Sequence, residues 1–321
     1  MLLAHISDLH INTTISHSNL EEVKTLLKYA NGKNVDHLVI TGDISDNSCF
    51  EDFEELRNLL DEYDFLSSER LSVVIGNHDI FGGVQKVEDI FHFPDKCKKT
   101  DYDLKVREFN AFFSEAFDKC VYRSHNNFYP YAKIIKDVLI IGINSISKYS
   151  PLKNTFASNG SVNAFQLIEV QKILSDYRDK VKYSIVLIHH HFNKMQVYSN
   201  NFAKSVWERI EKQNMKLRKK KRIINFFNRY SIDLVLHGHI HESIEYKRKG
   251  LKFLNAGASV RNELGQDLFI NLINLDAGSI DCSIEPVLSP KLLRTKKSNA
   301  KKDLLLSKIE NEFQSKDLVK D

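Results

Sequence analysis

The sequence predicts an α/β protein built on a mostly parallel sheet. Three observations lead there: short apolar runs alternate with amphipathic segments, the runs are apolar throughout as in strands buried on both faces, and each ends in a polar cluster. LLAHIS (2–7) reads as the first buried strand. EEVKTLLKYA (21–30) follows as a helix ended by Asn31-Gly32. HLVITG (37–42) is the second strand. EDFEELRNLLDEY (51–63) has acids in its first turn, where they favour the helix dipole, and Phe53, Leu56, Leu59 and Leu60 at helical spacing. LSVVIG (71–76) is the third strand, which completes a βαβαβ rhythm.

Further along, 102–118 reads as a helix and KIIKDVLIIGIN (133–144) as a hairpin turning at Lys136-Asp137. Ser161 is placed to cap a helix over 162–177 that carries Val162, Phe165, Leu167, Ile168, Val170, Ile173 and Leu174. YSIVLI (183–188) is a strand, a basic helical segment spans 202–230, and IDLVLH (232–237) is a strand again. LKFLNAG, DLFINLINL and SIDCSIEPV suggest short antiparallel strands. The expected division is one domain over 1–288, with a basic helical insert at about 193–230, and a basic C-terminal helix or tail over 289–321.

Composition excludes several classes. The 321 residues, 42% hydrophobic and 27% charged, suit an ordinary globular protein with a sizeable core. MLLAHISDLH meets Asp8 too soon to read as a secretory leader, and no apolar stretch is long enough for a membrane span. Cys49, Cys97, Cys120 and Cys282 show no CxxC spacing, so the cytoplasm is the expected compartment. A net charge of +4 argues only weakly for a polyanionic partner, but its distribution is uneven. One basic block gathers Lys216, Arg218, Lys219, Lys220, Lys221 and Arg222, and a looser one gathers Lys291, Arg294, Lys296, Lys297, Lys301 and Lys302.

Five predicted strands end in DLH (8–10), GDISD (42–46), GNHD (76–79), HHHF (189–192) and GHIH (238–241). Taken singly, each is a turn or a polar loop; open α/β sheets, however, bind ligands at the carboxyl ends of their strands. Of the 13 histidines, eight lie in these clusters if His237 is counted, which a random scatter would not produce. Imidazole is the commonest metal ligand in proteins, and strand ends hold ligands rigidly.

In this order the motifs resemble the calcineurin-like metallophosphoesterase family. The resemblance implies a four-layer α/β/β/α sandwich of two mixed sheets flanked by helices, the metallophosphoesterase fold, with two metal ions (Mn, Fe or Zn) at the strand ends. By resemblance, Asp8, His10 and His241 hold one ion, Asp43 bridges, and Asn77, His189 and His239 hold the other. Such a pair of cations needs a shared carboxylate to offset its repulsion. In HHHF the first histidine is the preferred ligand, with His190 as the alternative. Extended backbone would point His239 and His241 to one side. Gly76 and Gly238 are expected to allow tight turns or positive φ. Asp46 is expected to organise its loop. His78 is the candidate to contact phosphate and protonate the leaving oxygen, with Asp79 orienting its ring.

The implied reaction is in-line attack on phosphorus by a metal-bridging hydroxide, on a phosphodiester rather than a phosphomonoester, possible substrates including nucleotides. LIHHH and GHIH are similar to segments of phosphodiesterase-like members, although Phe192 stands where proline often follows the histidine run. Rival readings are a nuclease using basic segments 216–222 and 291–302, a hydrolase of a nucleotide-linked lipid at a membrane surface, and a non-catalytic scaffold of the same fold. The lipid reading rests on Ile223, Ile224, Phe226 and Phe227 beside the basic block, whose plain alternative is a solvated helix face. His5 reads as a packed core histidine, and His37 and His125 as structural or solvated.

Overall fold

The computed structural model describes residues 1–14, 18–84, 87–126, 128–193, 215–260, 267–276 and 278–290. In the first sheet, β1 (Leu2–Ile6), β2 (His37–Ile40) and β3 (Leu71–Val73) run parallel. β11 (Leu268–Asp276) and β12 (Ser279–Val287) extend it antiparallel, in the order β12-β11-β1-β2-β3. The second sheet comprises β4 (Tyr122–Arg123), β5 (Tyr131–Ile135), β6 (Val138–Ile143), β7 (Tyr183–Ile188), β8 (Leu234–His237), β9 (Ile244–Arg248) and β10 (Leu251–Asn255). Its order is β4-β5-β6-β7-β8-β10-β9, with β6, β7, β8 and β10 parallel and the remaining pairs antiparallel.

Side-chain alternation divides the core. Ile140, Ile185, Leu187, Leu234 and Leu236 join the first sheet in one apolar cluster. Their neighbours Leu139, Ile141, Val186, Ile188 and Val235 point the other way, against helices α6 (Ala164–Tyr177) and α7 (Lys220–Arg229). Helices α1 (Ser18–Gly32) and α2 (Phe50–Glu62) supply Val23, Leu26, Phe53 and Leu56 to the first cluster. Because both faces of the second sheet are buried, its central strands read as unbroken apolar runs. Shorter helices α3 (Asn77–Phe81), α4 (Phe93–Lys99) and α5 (Tyr102–Phe112) lie between β3 and β4 in the chain. The result is the expected four-layer α/β/β/α sandwich of two mixed sheets.

Several expectations are corrected. Helix α6 is capped by Asn163, whose side chain accepts from the Gln166 amide at 2.8 Å, rather than by Ser161. The helix over 102–118 ends at Phe112 and continues as a 3-10 turn, Ser114–Phe117. LKFLNAG forms β10, which is parallel to β8; its antiparallel partner β9, IEYKR, carries no apolar run to announce it. In α7, Ile223, Ile224 and Phe227 are buried in the second core. They are therefore not an apolar surface for a membrane. No described helix is long and apolar enough to cross one. Of the insert, 194–214 including Trp207 lies outside the described residues, as do 291–321 with the second basic block.

His5 is a packed core histidine as expected, and His37, read as structural or solvated, is structural. His5 Nε2 meets Thr41 Oγ1 at 2.9 Å. His37 is buried between the Glu69 carbonyl (2.6 Å) and Ser72 Oγ (2.8 Å). Burial, with Lys133 nearby, holds the His37 pKa down at about 3. Between that value and the roughly 6.5 of an exposed imidazole, the unfolded chain binds one more proton than the folded one, so stability falls as pH drops through this window. Replacing His37 with Gln should remove that component. Wild type should then lose more of its urea midpoint than His37→Gln between about pH 7 and about pH 4.5, and parallel losses would show the assignment to be wrong.

Candidate metal centre

The sequence brings its metal candidates to one end of the molecule because each follows the carboxyl end of a parallel strand. Asp8 and His10 follow β1, Asp43 follows β2, Asn77 follows β3, His189 follows β7, and His239 and His241 follow β8. The first two loops are tied by backbone bonds from Asp8 N to Gly42 O and from His10 N to Asp43 O, both 3.0 Å. Asp8, His10, Asp43 and His239 adopt left-handed φ of 53°, 44°, 51° and 72°. Non-glycine residues rarely do so, and such strain clusters at functional sites.

The same angles change part of the sequence-based reasoning. His239 and His241 lie on one loop, but it turns left-handed at His239 rather than running on as an extended strand. Positive φ belongs to Gly42 (93°), not to Gly76 or Gly238. Those two glycines allow close approach instead. A Cβ on Gly76 would lie 2.1 Å from Asp43 Oδ1, and one on Gly238 would lie 2.4 Å from Asp8 Oδ2.

Three groups of ligand atoms converge: Asp8, His10 and His241; Asp43, His189 and His239; and His10, Asp46 and His78, with the atoms of each group all within 4.8 Å of one another. The second group is the tightest. His189 Nδ1 donates to the Thr41 carbonyl at 2.7 Å, which turns Nε2 inward. Nε2 there meets His239 Nδ1 at 3.0 Å, Asn77 Oδ1 at 3.2 Å and Asp43 Oδ2 at 3.3 Å. So many buried lone pairs in one place repel unless a positive charge sits among them. Burial acts to lower the His189 pKa, but the Asp43 and Asp8 carboxylates hold it up at about 9. A divalent cation satisfies the same atoms more fully than that single proton. Nε2 of His10 is buried without a hydrogen-bond partner, as an open ligand atom would be. The donor set thus fits metal ions.

The His190 ring, the alternative candidate, is engaged at both nitrogens, by Ser145 Oγ (2.8 Å) and the Ser158 carbonyl (3.1 Å). His237 stays at the strand end, with Nε2 on the Tyr246 hydroxyl. His78 is one-quarter exposed, and its amide donates to Asp43 Oδ1 at 2.8 Å. Its ring does not depend on Asp79. Nδ1 instead faces Asp46, 3.4 Å from Oδ1 and 3.2 Å from the carbonyl. Asp46 also lies 3.3 Å from His10 Nδ1, so it joins two imidazoles as well as ordering its loop. Burial opposes charge on His78, yet Asp43 and Asp46 hold its pKa up at about 9.

Asp79 has another task. Its carboxylate accepts from the amides of Ile44 (2.8 Å), Ser45 (3.0 Å) and Gly76 (2.8 Å), locking the Asp43 loop to the Asn77 loop. Burial and the neighbouring Asp43 push its pKa up to about 7.

A profile of the calcineurin-like phosphoesterase family matches residues 1–243. The chain belongs to the calcineurin-like phosphoesterase family and is a metal-dependent phosphoesterase. No curated protein matches the sequence. Among solved structures, a dimetal phosphatase from Danio rerio is similar in fold, with 10% identity, a TM-score of 0.57, and coverage of 89% of this chain and 96% of that one. A purple acid phosphatase, PPD1, from yellow lupin (Lupinus luteus) seeds is also similar, at 12% identity and a TM-score of 0.55, covering 89% of this chain and 51% of the lupin chain. This chain therefore spans about half the length of the lupin enzyme.

Truncating Asp79 leaves three buried amides without an acceptor, at roughly 1–3 kcal/mol each. Asp79→Ala should therefore lower the unfolding free energy by at least ~3 kcal/mol in urea denaturation. A loss below ~1 kcal/mol would mean that these bonds do not organise the loops.

Proposed function

We propose that the protein is a two-metal phosphodiesterase. Asp43 would serve both ions, with Asp8, His10 and His241 to hold one and Asn77, His189 and His239 to hold the other. The observation that carries this reading is the convergence of buried acceptor atoms on His189 Nε2, beside a second cluster built on Asp8. The mixed nitrogen and oxygen ligands suit Mn, Fe or Zn without choosing among them. When bound, the ions supply a water of lowered pKa and positive charge against the phosphoryl oxygens.

The rest falls to the chain's own side chains. With Nδ1 held by Asp46 and the ring protonated, His78 has Nε2 left to give a hydrogen bond or a proton to the leaving oxygen. Asp79 and Gly76 keep the Asp43 and Asn77 loops in register. The preference for a diester follows the LIHHH and GHIH segments. Four unpaired cysteines suit a cytoplasmic enzyme.

Hydrolysis of bis(p-nitrophenyl) phosphate in added Mn²⁺ should exceed that of p-nitrophenyl phosphate. Chelation should abolish it, and Asp43→Asn should lower kcat by about 10²-fold or more. Asp43→Asn turning over like wild type would refute the assignment.

A second reading, with nucleic acid as the diester, is favoured by one feature. Lys216, Arg218, Lys219, Lys221 and Arg222 are exposed together at the start of α7. If they contact phosphates, affinity for single-stranded DNA should fall steeply between about 50 mM and about 200 mM salt, whereas a flat response removes this substrate.

A further inference from the structure

We propose that Tyr246 is a positioning residue of the metal centre. Its hydroxyl ties the loop after β7 to the end of β8 and so sets the approach of His189 to His239. The inference rests on the metal-centre reading above and adds a residue from outside the motifs.

The bonds form a chain with one possible direction. The Phe192 amide donates to the Tyr246 hydroxyl oxygen at 3.3 Å, and that hydroxyl lies 2.6 Å from His237 Nε2. His237 Nδ1 faces the Gly238 carbonyl at 3.2 Å. A carbonyl only accepts, so Nδ1 carries the ring proton and Nε2 must accept from Tyr246. The phenol therefore gives its proton to His237 and its oxygen to Phe192. One end of this chain lies just past His189-His190-His191, and the other just before His239 and His241.

Tyr246 belongs to neither loop. It stands on β9, with its ring stacked on Phe253 of β10 at a centroid distance of 5.2 Å and an interplanar angle of 6°. Packing between two strands thus aims the hydroxyl. Neighbouring groups hold the same stretch of backbone: Arg248, also on β9, donates to the Phe192 carbonyl, and Lys220 Nζ donates to the Asn193 carbonyl at 2.9 Å. None of these contacts reaches a ligand atom, so Tyr246 acts through the backbone that carries His189 and His239.

The test is calorimetric titration of chelator-stripped wild type, Tyr246→Phe and His237→Phe with Mn²⁺. Tyr246→Phe keeps the stacked ring and removes only the hydroxyl. One of the two Mn²⁺ ions should bind about ten-fold more weakly or worse, while the other changes by less than about three-fold, because only the His189–His239 cluster draws on both loops. His237→Phe, cutting the chain at its other end, should weaken the same ion, and it decides the matter if Tyr246→Phe does not fold. Unchanged affinity for both ions, or equal weakening of both, overturns the role of Tyr246 alone. Wild type that binds no Mn²⁺ overturns the metal-centre reading itself, and this inference with it.

Discussion

The structure turns on the crowding of acceptor atoms around His189 Nε2. An imidazole nitrogen, a carboxylate oxygen and a carboxamide oxygen approach it within 3.3 Å in the buried interior. Such an arrangement persists only if a cation neutralises it or if the surrounding structure holds the atoms in place. Much of what surrounds the site does the holding. Thr41 fixes one ring, Asp79 gathers three amides, and the Asp8 carboxylate takes the His239 amide through both oxygens, at 3.1 and 3.0 Å.

The sandwich offsets the strain of these loops. Left-handed backbone at Asp8, His10, Asp43 and His239 costs of order 1–3 kcal/mol per residue. Fully burying each Leu, Ile or Val of β6, β7 and β8 contributes ~1.5–3 kcal/mol, and these strands are covered on both faces. The rigid middle of each sheet therefore fixes where the strand ends stop, and the polar network fixes how the chain turns there.

Two aspartates show how the division of labour differs from first impressions. Asp79 adjoins His78 in sequence and has the chemistry to orient its ring, yet a helical turn points its carboxylate back to backbone amides. Asp46, three residues past Asp43, faces both His10 and His78. Adjacency in the chain decided neither contact. His189 and His190 differ in a similar way, because Ser145 and Ser158 engage the His190 ring whereas His189 Nε2 faces His239, Asn77 and Asp43.

By itself the sequence determined the α/β class and the order in which apolar strands end in polar clusters, because apolar runs and the residues that end them are local signals. The layered sandwich came from the family resemblance that those clusters carry. The sequence determined nothing about β9, whose IEYKR lacks an apolar run, nor about Tyr246 within it. The apolar residues of α7 read as a surface element beside a basic block, and it is the second sheet that buries Ile223, Ile224 and Phe227. Contacts such as Asp46 with His10, Asp79 with Gly76 and Tyr246 with His237 depend on the direction of single bonds after the chain has turned. Periodicity carries burial, but it does not carry the aim of a polar side chain, and only the tertiary structure decides that.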